Sequence, residues 1–131
     1  QKEKPSFSIP SSAESNILEK LDKFEESAKF TNSKLTVASL AVMFKTNPTY
    51  LSETIKKHKG KNFNQYLNEL RINYICKQIN ERPEFLNYKI SYLGEQAGFS
   101  SHSSFTTVFK NVTGISPSAF LREAEKKHRN I

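Results

Sequence analysis

A run of short polar side chains surrounds two phenylalanines near the C-terminal end of the chain, in the sequence GFSSHSSFTTVFKNVTG. Phe105 and Phe109 lie four residues apart, so they share one face of a helix and can pack into a core. The opposite face carries an imidazole, hydroxyl groups and a cation, on His102, Ser103, Thr106, Thr107 and Lys110. Such groups hydrogen-bond to base edges and phosphates, so the spacing predicts a helix over about 101–112 that contacts the major groove of DNA.

The same arrangement occurs earlier in the chain, at a separation of 54 residues. There the apolar pair is Leu51 and Ile55, and the glycine that ends the helix is Gly60 in place of Gly114. An internal repeat of this kind predicts a second contact helix over about 48–58. The repeat pairs its outward residues Thr49, Ser52, Glu53 and Lys56 with Ser103, Thr106, Thr107 and Lys110.

The other apolar residues also recur with helical spacing, and no segment has the alternation typical of a strand. Capping residues predict where these helices begin and end. They place further helices at about 12–30 (capped by Ser12 or Ser15), 36–44, 62–80, 90–97 and 116–127. The helix over 62–80 has apolar residues on more than one face, which is expected of a helix that packs on both copies of the repeat.

We therefore predict an all-α fold with two helix-turn-helix subdomains joined by a long linker helix, and with an extra N-terminal helix. Residues 1–31 are interpreted as an N-terminal linker and helix that connect to a missing domain, and residues 32–131 as the double helix-turn-helix domain. The start at Gln1 indicates a fragment or a processed chain. Within the linker helix we expect Arg71 to be a structural ion-pair partner and Cys76 a buried thiol.

The charge of the chain is concentrated in its C-terminal three quarters. The 131 residues carry a formal net charge of +7, but residues 1–34 hold six lysines and six acidic residues and are neutral. A basic surface suits nucleic acid or an anionic membrane. There is no apolar run of the ~18 residues that a transmembrane helix needs, and no signal peptide. The single cysteine excludes an intramolecular disulfide and indicates a cytoplasmic protein.

Enzymatic chemistry is not indicated. The three histidines, His58, His102 and His128, have no metal-ligand spacing, and there is no Cys-His pair or glycine-rich phosphate loop. We predict no catalytic residue, no metal and no cofactor. The alternative is a protein-interaction helical module without sequence-specific DNA readout, in which the neutral helix near 12–30 binds a partner rather than packing on the domain.

Three motifs resemble the C-terminal DNA-binding domain of the AraC/XylS family of bacterial transcription regulators. They are LTVASLAVMF with YLSETIKK, FNQYLNELRI over 63–72, and GFSSHSSFTTVFKNVTGISPSAFLRE over 98–123. The resemblance implies sequence-specific binding of double-stranded promoter or operator DNA by two recognition helices in successive major-groove segments. It also implies RNA polymerase as a partner and a regulatory domain elsewhere. We expect this fragment to be monomeric and the full-length protein to be able to dimerise through the missing domain.

The resemblance makes Thr49, Ser52, Glu53, His102, Ser103, Thr106 and Thr107 the candidates for base contact. The matching places of Lys56 and Lys110 in the two copies of the repeat make these lysines candidates for phosphate contact, together with Lys57 and Ser101. Glu53 is acidic and would repel phosphate, so its only acceptable DNA partner is a cytosine amino group. The less specific interpretation is that the serines cap the helix and that His102 and the lysines are solvated.

Overall fold

The computed structural model describes residues 8–129, and within that range the chain is helical with no strand. The α-helices are α1 (Ser11–Glu26), α2 (Val37–Met43), α3 (Pro48–Lys59), α4 (Phe63–Glu81), α5 (Ile90–Ala97), α6 (His102–Thr113) and α7 (Pro117–Arg129). Two short 3-10 helices, Lys29–Thr31 and Pro83–Asn87, lie between them. The predicted all-α fold is confirmed: α2 with α3 and α5 with α6 form two helix-turn-helix units, and α4 joins them.

Polar side chains begin most of these helices, as the sequence predicts. Thr36 and Ser39 form a reciprocal capping box at the start of α2. The Asn47 side chain accepts a hydrogen bond from the Tyr50 N–H at 2.8 Å, and Pro48 occupies the first position of α3. Asn62 caps α4 in the same way. These local hydrogen bonds fix where each helix starts.

The predicted limits of the first helix were wrong. Helix α1 begins at Ser11 after Pro10, without a side-chain cap, and not at Ser12 or Ser15. It ends at Glu26 instead of continuing to Phe30, because the backbone of Ser27 is extended. The Ser27 hydroxyl then donates to the Phe24 carbonyl at 2.8 Å. The chain therefore turns before the 3-10 helix Lys29–Thr31.

Two hydrophobic cores lie on either side of α4. The first contains residues of α1, α2 and α3 together with Phe63, Tyr66 and Leu67 at the start of α4. The second contains residues of α5, α6 and α7 together with Ile72, Ile75 and Ile79. Leu70 and Tyr74 also pack on the first core, so the linker helix presents a different face to each unit, as its apolar pattern predicts.

Helix α1 belongs to the first core. Its buried residues Ile17, Leu21 and Phe24 are at most 3% exposed, and the Phe24 ring meets Phe30 and Phe44 edge-on. The sequence left open whether this helix binds a partner or packs on the domain; in the structure it packs on the domain. The domain boundary placed at residue 31 stays a prediction.

Candidate nucleic-acid interface

Helices α3 and α6 are built alike from end to end. Each has 12 residues, begins with a side chain that accepts a backbone N–H (Asn47 or Ser101), and ends at a glycine with positive φ. Their inward residues are fully buried: Leu51, Ile55, Phe105 and Phe109 are each 0% exposed. Because both helices bury the same face, they also turn the same positions outward.

The outward face of α6 carries the predicted polar groups. Ser103, Thr107 and Lys110 are exposed, and so is His102 in the first turn, whereas Thr106 is half-buried. The Thr106 hydroxyl donates to the Ser103 carbonyl at 3.1 Å, so its remaining hydrogen-bonding capacity is as an acceptor. Apart from this bond, the face is open to a ligand across its first two turns.

Ser101 has a structural role at the start of α6. Its hydroxyl oxygen accepts a hydrogen bond from the Ser104 N–H at 3.1 Å, which caps the helix. Its own hydroxyl proton remains free to donate, and the residue is exposed. Capping therefore uses the Ser101 hydroxyl as an acceptor and leaves its proton for the phosphate contact that we predict.

On α3 the outward residues Thr49, Glu53 and Lys56 are exposed, and Ser52 is half-buried. These positions match the pattern on α6, except that Glu53 stands where α6 has Thr107. The first unit therefore presents one acidic group among its hydroxyls, and the second presents none at the equivalent positions.

The cations at the end of α3 differ from those of α6 in their partners. Lys57 Nζ lies 3.0 Å from Glu14 Oε2 of α1, and His58 forms a short hydrogen bond with the same carboxylate. The His58 hydrogen bond and Lys57 lower the pKa of the Glu14 carboxyl below its usual value. Lys59 pairs with a second acid of α1, Glu25, at 3.0 Å. Helix α1 thus offsets part of the positive charge of α3, a contact that the sequence analysis missed.

Lys56 and Lys110 occupy equivalent places in the two helices, and both are exposed. Within the described range 8–129, neither has an ion-pair partner. Their charge is therefore available to an anionic ligand.

Arg71 is structural, but the predicted ion pair was wrong. Its guanidinium donates to two main-chain carbonyls, those of Phe30 and Asn32, each at 2.7 Å. It also lies 5.7 Å from the centre of the Phe99 ring. Burial lowers the pKa of the Arg71 guanidinium.

Cys76, which was expected to be a buried thiol, is half-buried against the second core. Burial raises the pKa of its thiol to about 11.

In the part of the chain that the structure describes, no cluster of three histidine, cysteine or acidic residues is arranged to hold a metal ion. No helix in residues 8–129 is long and apolar enough to cross a membrane.

Two helix-turn-helix units in one chain, each with a polar outward helix, define a DNA-binding domain of the kind found in transcription regulators. Residues 40–123 match the family model described as a helix-turn-helix domain. The chain belongs to the AraC-type helix-turn-helix family of transcription regulators.

Curated relatives support this assignment. The chain is 33% identical over 93 residues to the uncharacterized transcriptional regulatory protein YesN of Bacillus subtilis, covering 70% of this chain and 24% of YesN. It is 30% identical over 109 residues to the TCP pilus virulence regulatory protein of Vibrio cholerae, covering 80% of this chain and 38% of that protein. The chain therefore spans about a quarter to two fifths of the length of these relatives.

Solved structures agree with the fold. The C-terminal domain of AraT, a response regulator from Geobacillus stearothermophilus, matches with a TM-score of 0.69 and 25% identity over 82% of this chain and 84% of that one. The DNA-binding domain of AdpA, solved in complex with a target DNA, matches with a TM-score of 0.71 and 16% identity over 86% of this chain and 95% of that one. The DNA-binding assignment made from the motifs is confirmed by the family, whereas the individual contact residues stay predictions.

Proposed function

We propose that α3 and α6 enter two successive major-groove segments on one face of a DNA duplex and read different base sequences there. The observation that supports this most directly is the structural equivalence of the two helices. Each has a capped N-terminus, a fully buried inward pair, an outward polar face and a glycine stop. A DNA-reading element that is built twice in one chain fits a site with two segments.

The proposed contacts follow from the outward positions. In α3, Thr49, Ser52 and Glu53 read bases; in α6, His102, Ser103, Thr106 and Thr107 do so. Lys56 and Lys110, which have no ion-pair partner among residues 8–129, each contact a phosphate. Ser101 donates its hydroxyl proton to a phosphate, and Lys57 contributes less because Glu14 offsets its charge.

The remaining parts of the proposal concern the whole protein. It would regulate transcription by acting with RNA polymerase at a promoter, in the cytoplasm, and without catalysis or a cofactor. We propose that this chain binds DNA as a monomer, since the charged and polar outward faces offer no heptad seam for a dimer.

Selection from a random duplex library, followed by footprinting of the selected site, tests the proposal. The expected result is an asymmetric site with two protected segments about 10 base pairs apart, one helical turn of DNA. The asymmetry follows from the different reading sets, which have Glu53 in one and Thr107 in the other. Protection of a single segment, or selection that yields no sequence, would show that the two helices do not read DNA together.

A further inference from the structure

A short segment between α1 and α2, residues 29–32, lies between the two helix-turn-helix units. We call it the junction segment. On one side it belongs to the first core: Phe30 is 4% exposed and meets the Tyr74 ring of α4 edge-on, with ring centres 5.7 Å apart. On the other side its backbone presses on the turn between α5 and α6. A Cβ placed on Gly98 would lie 2.6 Å from the Thr31 carbonyl oxygen.

Glycine at position 98 is required both by its φ of 105° and by this close contact, whereas the equivalent turn of the first unit has a φ that a lysine can adopt. Lys45 stands 53 residues before Gly98 and also has a positive φ, of 58°. Both turns make the same backbone bond, from Lys45 N–H to Val42 and from Gly98 N–H to Glu95. A lysine is accommodated in the first turn. In the second, the junction segment fills the space where a side chain would begin.

Arg71 connects the same three parts of the molecule. Its side chain leaves α4, donates to the junction carbonyls of Phe30 and Asn32, and covers the Phe99 ring next to Gly98. Arg71 is only 7% exposed, so the hydrogen bonds to these partners are needed to stabilise its buried charge. The planar guanidinium holds two carbonyls in a fixed geometry, which a lysine ammonium does not do.

Within the described residues, α2 and α3 make no extensive contact with α5, α6 or α7. Apart from weaker contacts, the units are connected by α4 and by the junction. A single helix that joins two bodies can bend and twist, whereas a second attachment away from its axis opposes both motions. Two recognition helices that read successive groove segments need a fixed separation and rotation.

We propose that the junction segment, held by Arg71 and by the close approach to Gly98, fixes the relative orientation of the two units and thereby sets the spacing between the DNA segments that the chain can read. Arg71 and Gly98 are positioning residues in this role. The inference rests on the proposed function. The match to the family model begins at residue 40, so the spacing is set by a segment that lies before the matched region.

Three variants test the inference. Gly98→Ala places a methyl group against the Thr31 carbonyl. Gly114→Ala is its matched control, because Gly114 also has a positive φ (87°) but a Cβ there meets nothing within 4 Å. Arg71→Lys keeps the buried cation and loses the two-carbonyl fork; it is the variant to use if circular dichroism shows that Gly98→Ala does not fold.

The first measurement uses duplexes that carry the selected site with the interval between its segments unchanged, shortened or lengthened by one base pair. We expect the wild type and Gly114→Ala to lose about tenfold in affinity on either change, the scale of losing a base contact. We expect Gly98→Ala and Arg71→Lys to lose less than about threefold, because loosely joined units adapt to each interval. If these variants bind every interval more weakly but keep the wild-type ratio, the junction does not set the spacing.

The second measurement needs no DNA, so the two proposals can fail separately. Spin labels at Ala38→Cys on α2 and Gln96→Cys on α5, in a Cys76→Ala background, report the distance between the units. The distance distribution should broaden in Gly98→Ala and Arg71→Lys and stay narrow in Gly114→Ala. Unchanged distributions would overturn the junction's role. Broadened distributions together with a wild type that is indifferent to interval would support the junction but remove the two-segment reading.

Discussion

Lys56 and Lys57 are adjacent cations on the proposed reading helix α3, but only Lys57 has an acidic partner in the described structure, Glu14 at 3.0 Å. Each phosphate contact accounts for about 0.9 of an ion in the salt dependence of binding, or a change of about 3.5-fold in affinity between about 50 and 200 mM salt. Lys56→Ala should therefore flatten the salt slope by about 0.9 and weaken binding to all duplexes alike. Lys57→Ala should have a smaller effect, because the Glu14 carboxylate already offsets that charge.

The Glu14→Gln variant tests whether the Glu14 charge, and not the position of Lys57 on α3, makes the contribution of Lys57 small. It leaves Lys57 and His58 in place and removes their carboxylate, so the slope should steepen by up to about one ion. In the Glu14→Gln background, Lys57→Ala should then cost as much as Lys56→Ala. Lys57 is an exposed lysine, with 65% of its side chain accessible, so the pair itself is weak and its removal should leave the fold intact.

The assay is fluorescence-anisotropy titration of a labelled duplex at four salt concentrations, with the selected site and a scrambled site of equal length. Lys110→Ala serves as the positive control, since Lys110 is the equivalent of Lys56 in the second unit. A full change of slope for Lys57→Ala in the wild-type background would refute the offset by Glu14. A loss confined to the selected site for Lys56→Ala would make that residue a base reader.

Three further predictions concern single residues. Thr54 is fully buried and its hydroxyl has no hydrogen-bond partner within residues 8–129, so Thr54→Val should raise the free energy of unfolding in urea by about 1 kcal/mol. The control Thr113→Val removes a hydroxyl that is bonded to the Phe109 carbonyl, so it should lower the free energy of unfolding by about as much. A loss of stability in both variants would contradict the reasoning. The Glu14 pKa is lowered in the folded state, so its stabilising contribution is present above its unfolded pKa and disappears as the pH falls through its folded pKa. Glu14→Gln should therefore lose less stability than the wild type between about pH 5 and 3. Parallel curves of unfolding free energy against pH for the two proteins would count against this. Glu53→Ala should keep or slightly raise the affinity for DNA while broadening the preference at one base pair. Thr107→Ala should lower the affinity for the selected site by about 1 kcal/mol or less. A large loss of affinity from Glu53→Ala would make the carboxylate a direct contact.

The parts of the fold that the sequence predicts are those that depend on neighbours within four residues. Thr36, Asn47 and Asn62 begin helices because each side chain accepts an N–H three residues later. The two-unit architecture follows from the repeat, since Leu51 and Ile55 recur as Phe105 and Phe109. Local hydrogen bonds and helical periodicity are both visible in a linear sequence.

The parts that it does not predict depend on groups far away in the sequence. The acceptors of Arg71 are carbonyls 41 and 39 residues distant, and every residue type carries a carbonyl, so no pattern marks them. The Glu14 contact with Lys57 and His58 spans more than 40 residues in the same way. In Pro83–Asn87, a segment outside the helices predicted from the sequence, Phe85 packs into the second core and orders a 3-10 helix.

Net charge along the chain gives a misleading account of the two reading helices, because it counts charges without their partners. Residues 35–131 carry the entire +7, yet two carboxylates of α1, Glu14 and Glu25, lie against the last turn of α3 at Lys57, His58 and Lys59. No described acid is paired with Lys110 on α6. The N-terminal helix, neutral as a segment, thus lowers the positive potential of one unit and leaves the other unchanged. Phosphate attraction therefore favours the second unit, and the first depends more on its base contacts. Affinity should respond more to salt through α6 than through α3.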